Sequence, residues 1–290
     1  MKISGKTKVC GIIGEPIEHT LSPTMHNAAF EKLNLDFVYV PFKVKTPMLK
    51  EAIEGIRSLG IIGLNVTMPY KCTVMKYLDE IDLTARRINA VNTILNIDER
   101  LVGYNTDGVG ALNALKENGV TLKGKNLLLL GAGGAGKAIA FHTAPEVEKL
   151  VIINRTLQKA KKLTEALRKE FSNKKIIYKK LSNETVKNEL KDADILINAT
   201  SIGMHPNTDQ SPVPSSLLKR EICVMDIVYN PPETKLLRDA KATGAKVISG
   251  IEMLVYQGAA SFEIWTKQPA PVEVMKQAAL DKLSELGVKH

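Results

Sequence analysis

Two charged residues stand where the chain could assemble acid–base chemistry. Lys71 ends the segment NVTMPYK at residues 65–71, which follows a predicted buried strand and is expected to open a helix. Parallel α/β sheets bind ligands at the carboxyl ends of their strands. A cation in the first turn of a helix is electrostatically unfavourable, which would lower the pKa of the lysine towards neutrality. Lys71 is therefore either a proton donor or one of many surface lysines, and the local sequence leaves both interpretations open.

Asp107 directly precedes a long predicted helix. An aspartate in this position is usually an N-cap that accepts bonds from backbone N–H groups, and the local sequence favours that interpretation. An acid at the junction of two domains could instead pair with Lys71. Other short polar side chains stand next to predicted strands: Thr20 and Ser22 in HTLSP follow the first strand, and Asn92 in NAVNT is at the start of another. Each has a capping explanation, but as a set they suit a ligand with several hydroxyl groups.

The segment GAGGAG contains the pattern G-x-G-x-x-G as Gly131, Gly133 and Gly136. It directly follows the predicted strand Asn126–Leu130 and opens a predicted helix, the context in which this pattern binds dinucleotides. The first glycine allows a tight turn, the second lets the backbone approach a pyrophosphate, and the third lets helix and strand pack closely. The helix N-terminus adds partial positive charge. We therefore expect a dinucleotide cofactor at this loop.

The next strand, Leu150–Ile153, predicts which dinucleotide binds. An NAD-specific protein places Asp or Glu after this strand to bond the ribose 2′-hydroxyl, whereas this chain has Asn154, Arg155 and Thr156, with Lys159 one turn further on. Without the carboxylate there is no repulsion against a 2′-phosphate, and a guanidinium can hold that phosphate through two bonds. The sequence predicts NADP rather than NAD.

Strands and helices alternate almost throughout the 290 residues, a length of about two domains. Alternating βαβ units predict parallel sheets covered by helices on both faces. We expect two α/β domains with a cleft between them, one being the Rossmann-type dinucleotide domain. One hairpin is expected, with strands in residues 92–104 joined by a turn at 98–100. Helices are predicted to start at Ser22–Pro23, at Thr46–Pro47 and at Pro69, where a cap or a proline marks the first turn.

Composition limits the alternatives. Hydrophobic residues make up 44% and charged residues 24%, which argues against a disordered or coiled-coil chain. No apolar run reaches the about 18 residues of a membrane span, and the start lacks a signal-peptide pattern. The three cysteines form no CxxC pair, which predicts a reducing, cytoplasmic location. The net charge of +9 comes from scattered lysines without aromatic interleaving, so we expect a small-molecule substrate and neither a nucleic-acid nor a membrane partner. The five histidines show no metal-ligand spacing, so no metal is expected.

Taken in order, the motifs resemble the shikimate dehydrogenase family (shikimate/quinate dehydrogenases) over essentially the whole chain. The matching segments are HTLSP, NVTMPYK, NAVNT, GYNTDG, GAGGAG, NRT, NATSIGM, DIVYNPPETKLL and GIEMLVYQGAASFEIW. The resemblance implies the NADPH-dependent, reversible reduction of 3-dehydroshikimate to shikimate in aromatic amino-acid biosynthesis. It implies Lys71 and Asp107 as the catalytic pair. It also implies an N-terminal substrate domain over residues 1–108 plus 258–290, and an NADP-binding Rossmann domain over residues 109–257.

The resemblance further implies two sets of binding residues. The substrate-binding set is Thr20, Ser22, Asn65, Thr67, Asn92, Tyr229 and Gln257. The cofactor-binding set is Gly131, Ala132, Gly133, Gly134, Ala135, Gly136, Asn154, Arg155, Thr156, Lys159, Thr200, Met204, Ile227, Gly250 and Met253.

Thr20 is the one departure from the family pattern, because the family usually has a serine there. Thr keeps the hydroxyl but adds a methyl group, which leaves a dual-specificity quinate/shikimate dehydrogenase open as an alternative. Another two-domain NADP enzyme, such as a methylenetetrahydrofolate dehydrogenase, is one further alternative, and a non-enzymatic protein that kept the fold, either an NADP-binding sensor or a nucleic-acid-binding protein, is another. The polar set around Thr20, Ser22 and Asn92 disfavours the first, and the retained Lys71 and Asp107 disfavour the second. The sequence does not predict the oligomeric state and leaves a homodimer open.

Overall fold

The structure is a computed structural model that describes residues 2–285 and 287. The chain divides into two compact units. The first unit runs up to Asp107 and includes Val255–Lys282, and the second comprises Gly108–Leu254 and the C-terminal residues from Leu283 onward. Residues 286 and 288–290, which the sequence assigned to the substrate domain, lie outside the described residues.

Each unit is built on a six-stranded sheet. The strands of the first are β1 (Lys8–Gly14), β2 (Phe37–Lys43), β3 (Gly63–Val66), β4 (Glu80–Ile81), β5 (Thr93–Ile97) and β6 (Arg100–Tyr104). Those of the second are β7 (Asn126–Leu130), β8 (Lys149–Asn154), β9 (Lys175–Lys180), β10 (Ile195–Asn198), β11 (Cys223–Asp226) and β12 (Lys246–Ile248). The spatial orders are β2-β1-β3-β5-β6-β4 and β12-β11-β10-β7-β8-β9.

The α-helices follow the predicted alternation with the strands. They are α1 (Ser22–Lys32), α2 (Leu49–Ser58), α3 (Leu83–Ile88), α4 (Asp107–Glu117), α5 (Gly134–Thr143), α6 (Leu157–Glu170), α7 (Asn183–Leu190), α8 (Lys235–Ala242), α9 (Gly250–Thr266) and α10 (Val272–Glu285). Among the described residues, no helix combines the length and apolar composition that crossing a membrane would need.

The two sheets differ in strand direction. Every pairing in the second sheet is parallel, and its order is that of a doubly wound dinucleotide fold, which confirms the predicted Rossmann-type unit. The central strand of this sheet, Leu127–Leu130 within β7, is buried at every position, because helices cover both faces. In the first sheet, β5 pairs antiparallel with both β3 and β6. The predicted hairpin is thereby confirmed, with Asp98 and Glu99 at positive φ in its turn.

Three predicted helix starts need correction. α1 begins at Ser22, but no side chain caps it, and the Ser22 N–H bonds the Thr20 hydroxyl at 3.3 Å instead. Thr46–Met48 forms a short 3₁₀ helix, and α2 begins only at Leu49.

The helix predicted from Pro69 is wrong. The chain after β3 forms turns, one of them closed by the Tyr70 N–H on the Thr67 carbonyl at 3.0 Å, until a 3₁₀ helix begins at Thr73. The Tyr70 side chain is 1% exposed within the core of the first unit, and its hydroxyl donates to the Val44 carbonyl at 2.5 Å. Burying this ring at the turn stabilises the bend against the helix that the proline signal predicted.

Candidate active site

Lys71 and Asp107 form a direct ion pair in the first unit. Lys71 lies in the turn that follows β3, and Asp107 is the first residue of α4, three residues after β6 ends. The Lys71 Nζ donates to the Asp107 Oδ2 at 2.6 Å. The side chain of Asp107 is only 6% exposed and that of Lys71 22%. An ammonium group that is held by a buried carboxylate yet reaches solvent can exchange a proton with a bound molecule.

Two details of the sequence argument need correction at this pair. Because Lys71 stands in a turn and not in a first helical turn, the helix-dipole argument for its pKa does not apply. Asp107 does not act as an N-cap through its side chain either: its own N–H bonds the Asn105 Oδ1 at 3.1 Å, and its carboxylate accepts from other side chains. The structure therefore contains the alternative arrangement, in which Asp107 pairs with Lys71.

Asn92 connects the pair to the interior of the first unit. Its Nδ2 donates to the second carboxylate oxygen of Asp107, Oδ1, at 2.8 Å, and lies 2.9 Å from the Thr106 hydroxyl. Its Oδ1 accepts from the Thr106 N–H at 2.8 Å. The Gln257 Oε1 lies 3.3 Å from the same Nδ2. Both carboxylate oxygens of Asp107 therefore have a side-chain donor.

Asn65 lies deeper, and its amide is bonded within the protein. Its Oδ1 accepts from the Tyr39 hydroxyl at 2.7 Å, and its Nδ2 lies 3.0 Å from the Ser261 hydroxyl and 3.2 Å from that of Thr93. Burial raises the pKa of Tyr39 well above its usual value, while a hydrogen bond with Ser22 lowers it. Of the predicted substrate residues, Ser22 and Asn65 are thus joined through Tyr39.

The other predicted substrate residues lie at three places. The Thr20 hydroxyl is 3.2 Å from that of Ser22. Thr67 follows β3, where its methyl group occupies the space beside Gly14: a Cβ on that glycine would lie 2.4 Å from the Thr67 Cγ2. The glycine thus allows the loops after β1 and β3 to approach closely. Tyr229 is in the second unit, in the loop that follows β11.

Sequence reasoning missed Tyr39, Thr93, Thr106 and Ser261 as parts of this cluster. Thr93 and Thr106 are inside motifs that had been singled out, NAVNT and NTDG, so their neighbourhood was a usable signal. Ser261 stands in the middle of α9, inside the motif GIEMLVYQGAASFEIW, but nothing in the local pattern distinguishes it from any other helical serine. It meets Thr93 only through the fold, 168 positions away in the sequence.

The glycine loop of the second unit has the geometry that its pattern predicted. Gly131 adopts φ +109°, and a Cβ there would lie 2.6 Å from the Ala199 carbonyl oxygen. A Cβ on Gly136 would lie 2.4 Å from the Gly131 oxygen. Beside Gly133 and Gly134, by contrast, the space within 4 Å is open. α5 starts there without a side-chain cap and without an acidic residue in its first turn, so its N–H groups suit a phosphate.

The segment after β8 is fixed to this loop through Asn154. Its Oδ1 accepts from the Ala132 N–H at 3.1 Å, and its Nδ2 donates to the Thr156 carbonyl at 2.9 Å. Arg155, Thr156 and Lys159 are exposed. Within residues 2–285 and 287, neither Arg155 nor Lys159 enters an ion pair, so both cations are available to an anionic ligand. The residues present therefore fit an NADP 2′-phosphate.

A buried carboxylate, Asp226, anchors two further segments with predicted cofactor residues. Its Oδ1 accepts from the Asn198 Nδ2 at 3.0 Å and from the Val228 N–H at 3.1 Å, and its Oδ2 accepts from the Thr234 hydroxyl at 2.7 Å. The Asn198 Oδ1 in turn accepts from the Thr200 hydroxyl at 2.7 Å. Burial raises the pKa of Asp226 to about 6, against the lowering effect of these donors.

The remaining predicted cofactor residues lie in the same unit. Ile227 follows Asp226, and a Cβ on Gly250 would come within 2.6 Å of its carbonyl oxygen, so a larger residue would displace this segment. Met253 is buried, and Met204 is 39% exposed. Among the described residues, no cluster of three or more His, Cys, Asp or Glu side chains could hold a metal ion.

The fold and these two sites define a class. A Rossmann-type unit with an open glycine loop and free cations indicates a pyridine-nucleotide enzyme, and a unit with a lysine–carboxylate pair among buried amides and hydroxyls indicates proton transfer to a polar substrate. The combination is typical of NADP-dependent dehydrogenases.

Comparisons with known proteins identify the family. Residues 12–94 match the shikimate dehydrogenase substrate binding domain, residues 113–235 the shikimate / quinate 5-dehydrogenase model, and residues 250–280 the shikimate 5'-dehydrogenase C-terminal domain. The NADP(+) shikimate dehydrogenase of Methanocaldococcus jannaschii is 49% identical over 98% of this chain and 100% of its own length. That of Pyrococcus abyssi is 51% identical over 96% of this chain and 99% of its own.

Solved structures give the same result. A shikimate dehydrogenase crystallised with NADP+ superimposes with a TM-score of 0.91 at 46% identity, covering 100% of this chain and 98% of its own. The Thermus thermophilus enzyme in complex with NADP(H) and shikimate gives a TM-score of 0.85 at 36% identity, covering 95% and 99%. The chain belongs to the shikimate dehydrogenase family, which confirms the resemblance drawn from the motifs.

Proposed function

We propose that this chain catalyses the NADPH-dependent, reversible reduction of 3-dehydroshikimate to shikimate, with Lys71 and Asp107 as its catalytic pair. The observation that supports these roles is the 2.6 Å bond between the Lys71 ammonium group and a buried carboxylate. Curated relatives that align over nearly the whole chain are NADP(+) shikimate dehydrogenases, and the Thermus thermophilus relative binds NADP(H) and shikimate. The product is a precursor in aromatic amino-acid biosynthesis.

The chemistry divides between the cofactor and the protein. Bound NADPH supplies the hydride that reduces the substrate ketone. Lys71 donates a proton to the oxygen of that ketone as negative charge develops on it, and takes the proton back from the hydroxyl in the reverse direction. Asp107 orients the ammonium group and balances its charge. The electrostatic attraction between the two groups is stronger here than in water because the carboxylate is buried.

The binding roles follow the two units. We assign the first unit as the substrate domain, in which the hydroxyls of Thr20 and Ser22 bond the substrate carboxylate. Thr67, Asn92 and Gln257 bond its hydroxyl groups, because their side chains offer the complementary donors and acceptors. The roles of Asn65 and Tyr229 as substrate ligands stay predictions.

We assign the second unit as the NADP domain. The N–H groups at the start of α5, around Gly133 and Gly134, hold the pyrophosphate. Arg155 and Lys159 hold the 2′-phosphate, with the Thr156 hydroxyl beside them. The segments anchored on Asp226 contribute Thr200, Met204 and Ile227, and α9 contributes Gly250 and Met253. A cytoplasmic location and a homodimer stay predictions, the latter testable by analytical ultracentrifugation.

A spectrophotometric assay tests the proposed reaction. The purified chain is given NADP+ with shikimate or with quinate, and NADPH formation is followed by its absorbance. We expect kcat/KM for shikimate to exceed that for quinate by about 10- to 100-fold. Quinate carries an additional hydroxyl group, and an apolar contact in a binding site discriminates against an added hydroxyl only modestly. Equal values would make the chain a dual-specificity enzyme, the alternative that Thr20 leaves open. Turnover of neither compound would overturn the proposal.

A further inference from the structure

Five polar side chains are buried together next to the catalytic pair. All are at most 6% exposed: Asn65, Asn92, Thr93, Thr106 and Ser261. Apolar side chains of the same shape would pack there with no cost of dehydration, whereas each polar group costs free energy unless it is hydrogen-bonded. Fold stability alone therefore does not account for the cluster.

The orientation of the Asn92 amide is defined by its neighbours. The Thr106 N–H, which can only donate, lies 2.8 Å from the Asn92 Oδ1, and the Asp107 carboxylate lies 2.8 Å from the Nδ2. The Thr93 hydroxyl is 2.9 Å from the same Oδ1. The flipped amide would put its oxygen against the carboxylate, so every contact requires the NH2 group to face Asp107.

One assignment of the hydroxyl hydrogens satisfies the shortest contacts. Each hydroxyl has a single hydrogen to donate. The Ser261 hydroxyl lies 2.8 Å from that of Thr93 and 3.0 Å from the Gln257 carbonyl, and donation across the shorter contact leaves Thr93 to donate to the Asn92 Oδ1 across 2.9 Å. Ser261 then accepts from the Asn65 Nδ2 at 3.0 Å, and Asn65 accepts from Tyr39.

Every bond in this chain points its hydrogen towards Asp107. The order is Tyr39 to Asn65, Asn65 to Ser261, Ser261 to Thr93, Thr93 to Asn92, and Asn92 to Asp107. Hydrogen bonds aligned in one direction polarise and strengthen one another in a buried setting. The last donor, the Asn92 NH2 group, is therefore a stronger partner for the carboxylate than an isolated amide would be.

We infer that Thr93 and Ser261 are positioning residues for the Lys71–Asp107 pair, acting through Asn92. Neither touches Asp107. Together they hold the Asn92 NH2 on the carboxylate, which keeps the Asp107 side chain fixed against Lys71. The inference rests on the function proposed for the pair, and it extends the site inward to two residues that the sequence had not assigned to it.

The test removes one hydroxyl without changing shape. Val has the shape of Thr and suits a strand, so Thr93→Val breaks the chain of bonds at its centre. We expect kcat with shikimate to fall by about 5- to 30-fold. This is the expected effect of losing one buried hydrogen bond, that from the Thr93 hydroxyl to Asn92, whose amide holds the Asp107 carboxylate. The acidic limb of the kcat–pH profile should move to higher pH, because a less stabilised carboxylate takes up a proton more readily. NADP+ affinity, measured by calorimetry, should stay unchanged.

Conservative and control variants separate positioning from packing. Thr93→Ser keeps the hydroxyl and should restore both kcat and the acidic limb. The matched control is Thr143→Val in the second unit: Thr143 is equally buried at 0%, and its hydroxyl bonds the Ile139 carbonyl at 2.9 Å within α5. This variant should lose thermal stability yet keep the wild-type pH profile.

A second variant keeps the inference testable if Thr93→Val does not fold. Ser261→Ala removes the preceding donor, and its effect should not add to that of Thr93→Val, because both break the same chain of bonds. A wild-type pH profile and kcat in a folded Thr93→Val or Ser261→Ala enzyme would overturn the inference. So would a Thr93→Ser enzyme as impaired as Thr93→Val. Failure of the proposed function would look different: the Lys71→Ala enzyme itself would keep turning over shikimate.

Discussion

The charged side chains of the two candidate sites differ in burial and in whether they already have partners within the protein. In the first unit, Asp107 is 4% exposed, and both of its oxygens are already bonded to Lys71 and Asn92. In the second unit, Arg155 and Lys159 are exposed cations beside a glycine loop with open space around Gly133. A group that moves a proton needs its geometry fixed before the substrate binds, whereas groups that hold a phosphate can take that phosphate as their partner. The contrast predicts different consequences of mutation in the two units.

The same contrast extends to a buried titratable group in each unit. His26 in the first unit is fully buried among aromatic rings and stacked on Tyr39 at 4.4 Å, and neither of its ring nitrogens has a hydrogen-bond partner among the described residues. Asp226 in the second unit is equally buried but accepts from Asn198, Val228 and Thr234. Burial lowers the pKa of His26 to about 3 and raises that of Asp226 to about 6. The two units should therefore respond to acid in opposite directions.

The largest expected effect is on turnover. Lys71→Ala should lower kcat with shikimate by about 10²–10⁴-fold, the usual contribution of general acid–base catalysis. NADP+ affinity should change little, because the predicted cofactor residues are all in the second unit. Steady-state kinetics in both directions, with calorimetry of NADP+ binding, measure the two quantities separately.

The Asp107→Ala variant completes a cycle that tests the pair as a unit. It should also lower kcat, and the double variant should lose much less than the product of the two single losses. Strictly multiplicative losses would implicate both residues but contradict their joint action. Near-wild-type turnover of Lys71→Ala would remove the proposed acid–base role.

Much of the framework for these sites could be predicted from the sequence. Buried strands such as Asn126–Leu130 and the glycine pattern after it are local signals, and the structure agrees with both. The Pro69 signal failed because proline after a strand suits a turn as well as a first helical turn, and only the buried Tyr70 ring decides between them. The Ser261–Thr93 contact was invisible because it joins residues 168 positions apart, and such contacts come from tertiary packing and not from local pattern.

The second largest effect concerns acid stability of the first unit. An unfolded chain protonates His26 near the ordinary value of 6.5, whereas the folded one resists protonation down to about 3. Stability that is present above pH 6.5 is therefore lost as the pH falls, by about 3 kcal/mol at pH 4. His26→Phe keeps an aromatic ring on Tyr39 but binds no proton, so its stability should fall less steeply with acid. Trp265, the single tryptophan, lies 5.3 Å from His26, so its fluorescence during urea titrations reports on this unit. Parallel pH slopes in the two proteins would refute the assignment.

A somewhat smaller effect of opposite sign is expected in the second unit. The folded-state pKa of Asp226, about 6, lies above its ordinary value of 3.8, so between these pH values the folded unit holds a proton that the unfolded chain has released. The stability contributed by this protonation is present below pH 4 and is lost as the pH rises through 6, by about 3 kcal/mol at most. Asp226→Asn should flatten this dependence of stability on pH, as measured by hydrogen exchange of the β11 amides between pH 4 and 7.

The matched control is Asp239→Asn in α8, where the carboxylate pairs with Lys235 near the surface. This variant should leave the slope of stability against pH unchanged. An unaltered slope in Asp226→Asn would show that the carboxylate titrates normally.

The smallest of these effects is the most selective. Arg155 is exposed and outside any ion pair among the described residues, so removing it should cost the fold almost nothing. If its guanidinium holds the 2′-phosphate, Arg155→Ala should raise KM for NADP+ by about 30-fold, which corresponds to the about 2 kcal/mol of a charge-assisted contact, and leave KM for NAD+ nearly unchanged. Lys159→Ala should act in the same direction but more weakly, because an ammonium group lacks the two parallel N–H donors with which a guanidinium binds two phosphate oxygens.

Arg168→Ala is a charge-matched control in α6, since that guanidinium bonds the Ile176 carbonyl at 2.9 Å. Kinetics with both cofactors for all three variants decide the matter: equal effects of Arg155→Ala on NADP+ and NAD+ would exclude a 2′-phosphate contact. An open site whose cations enter no ion pair within the described part of the chain should lose only the free energy of the missing phosphate bond, in contrast to the buried pair of the first unit.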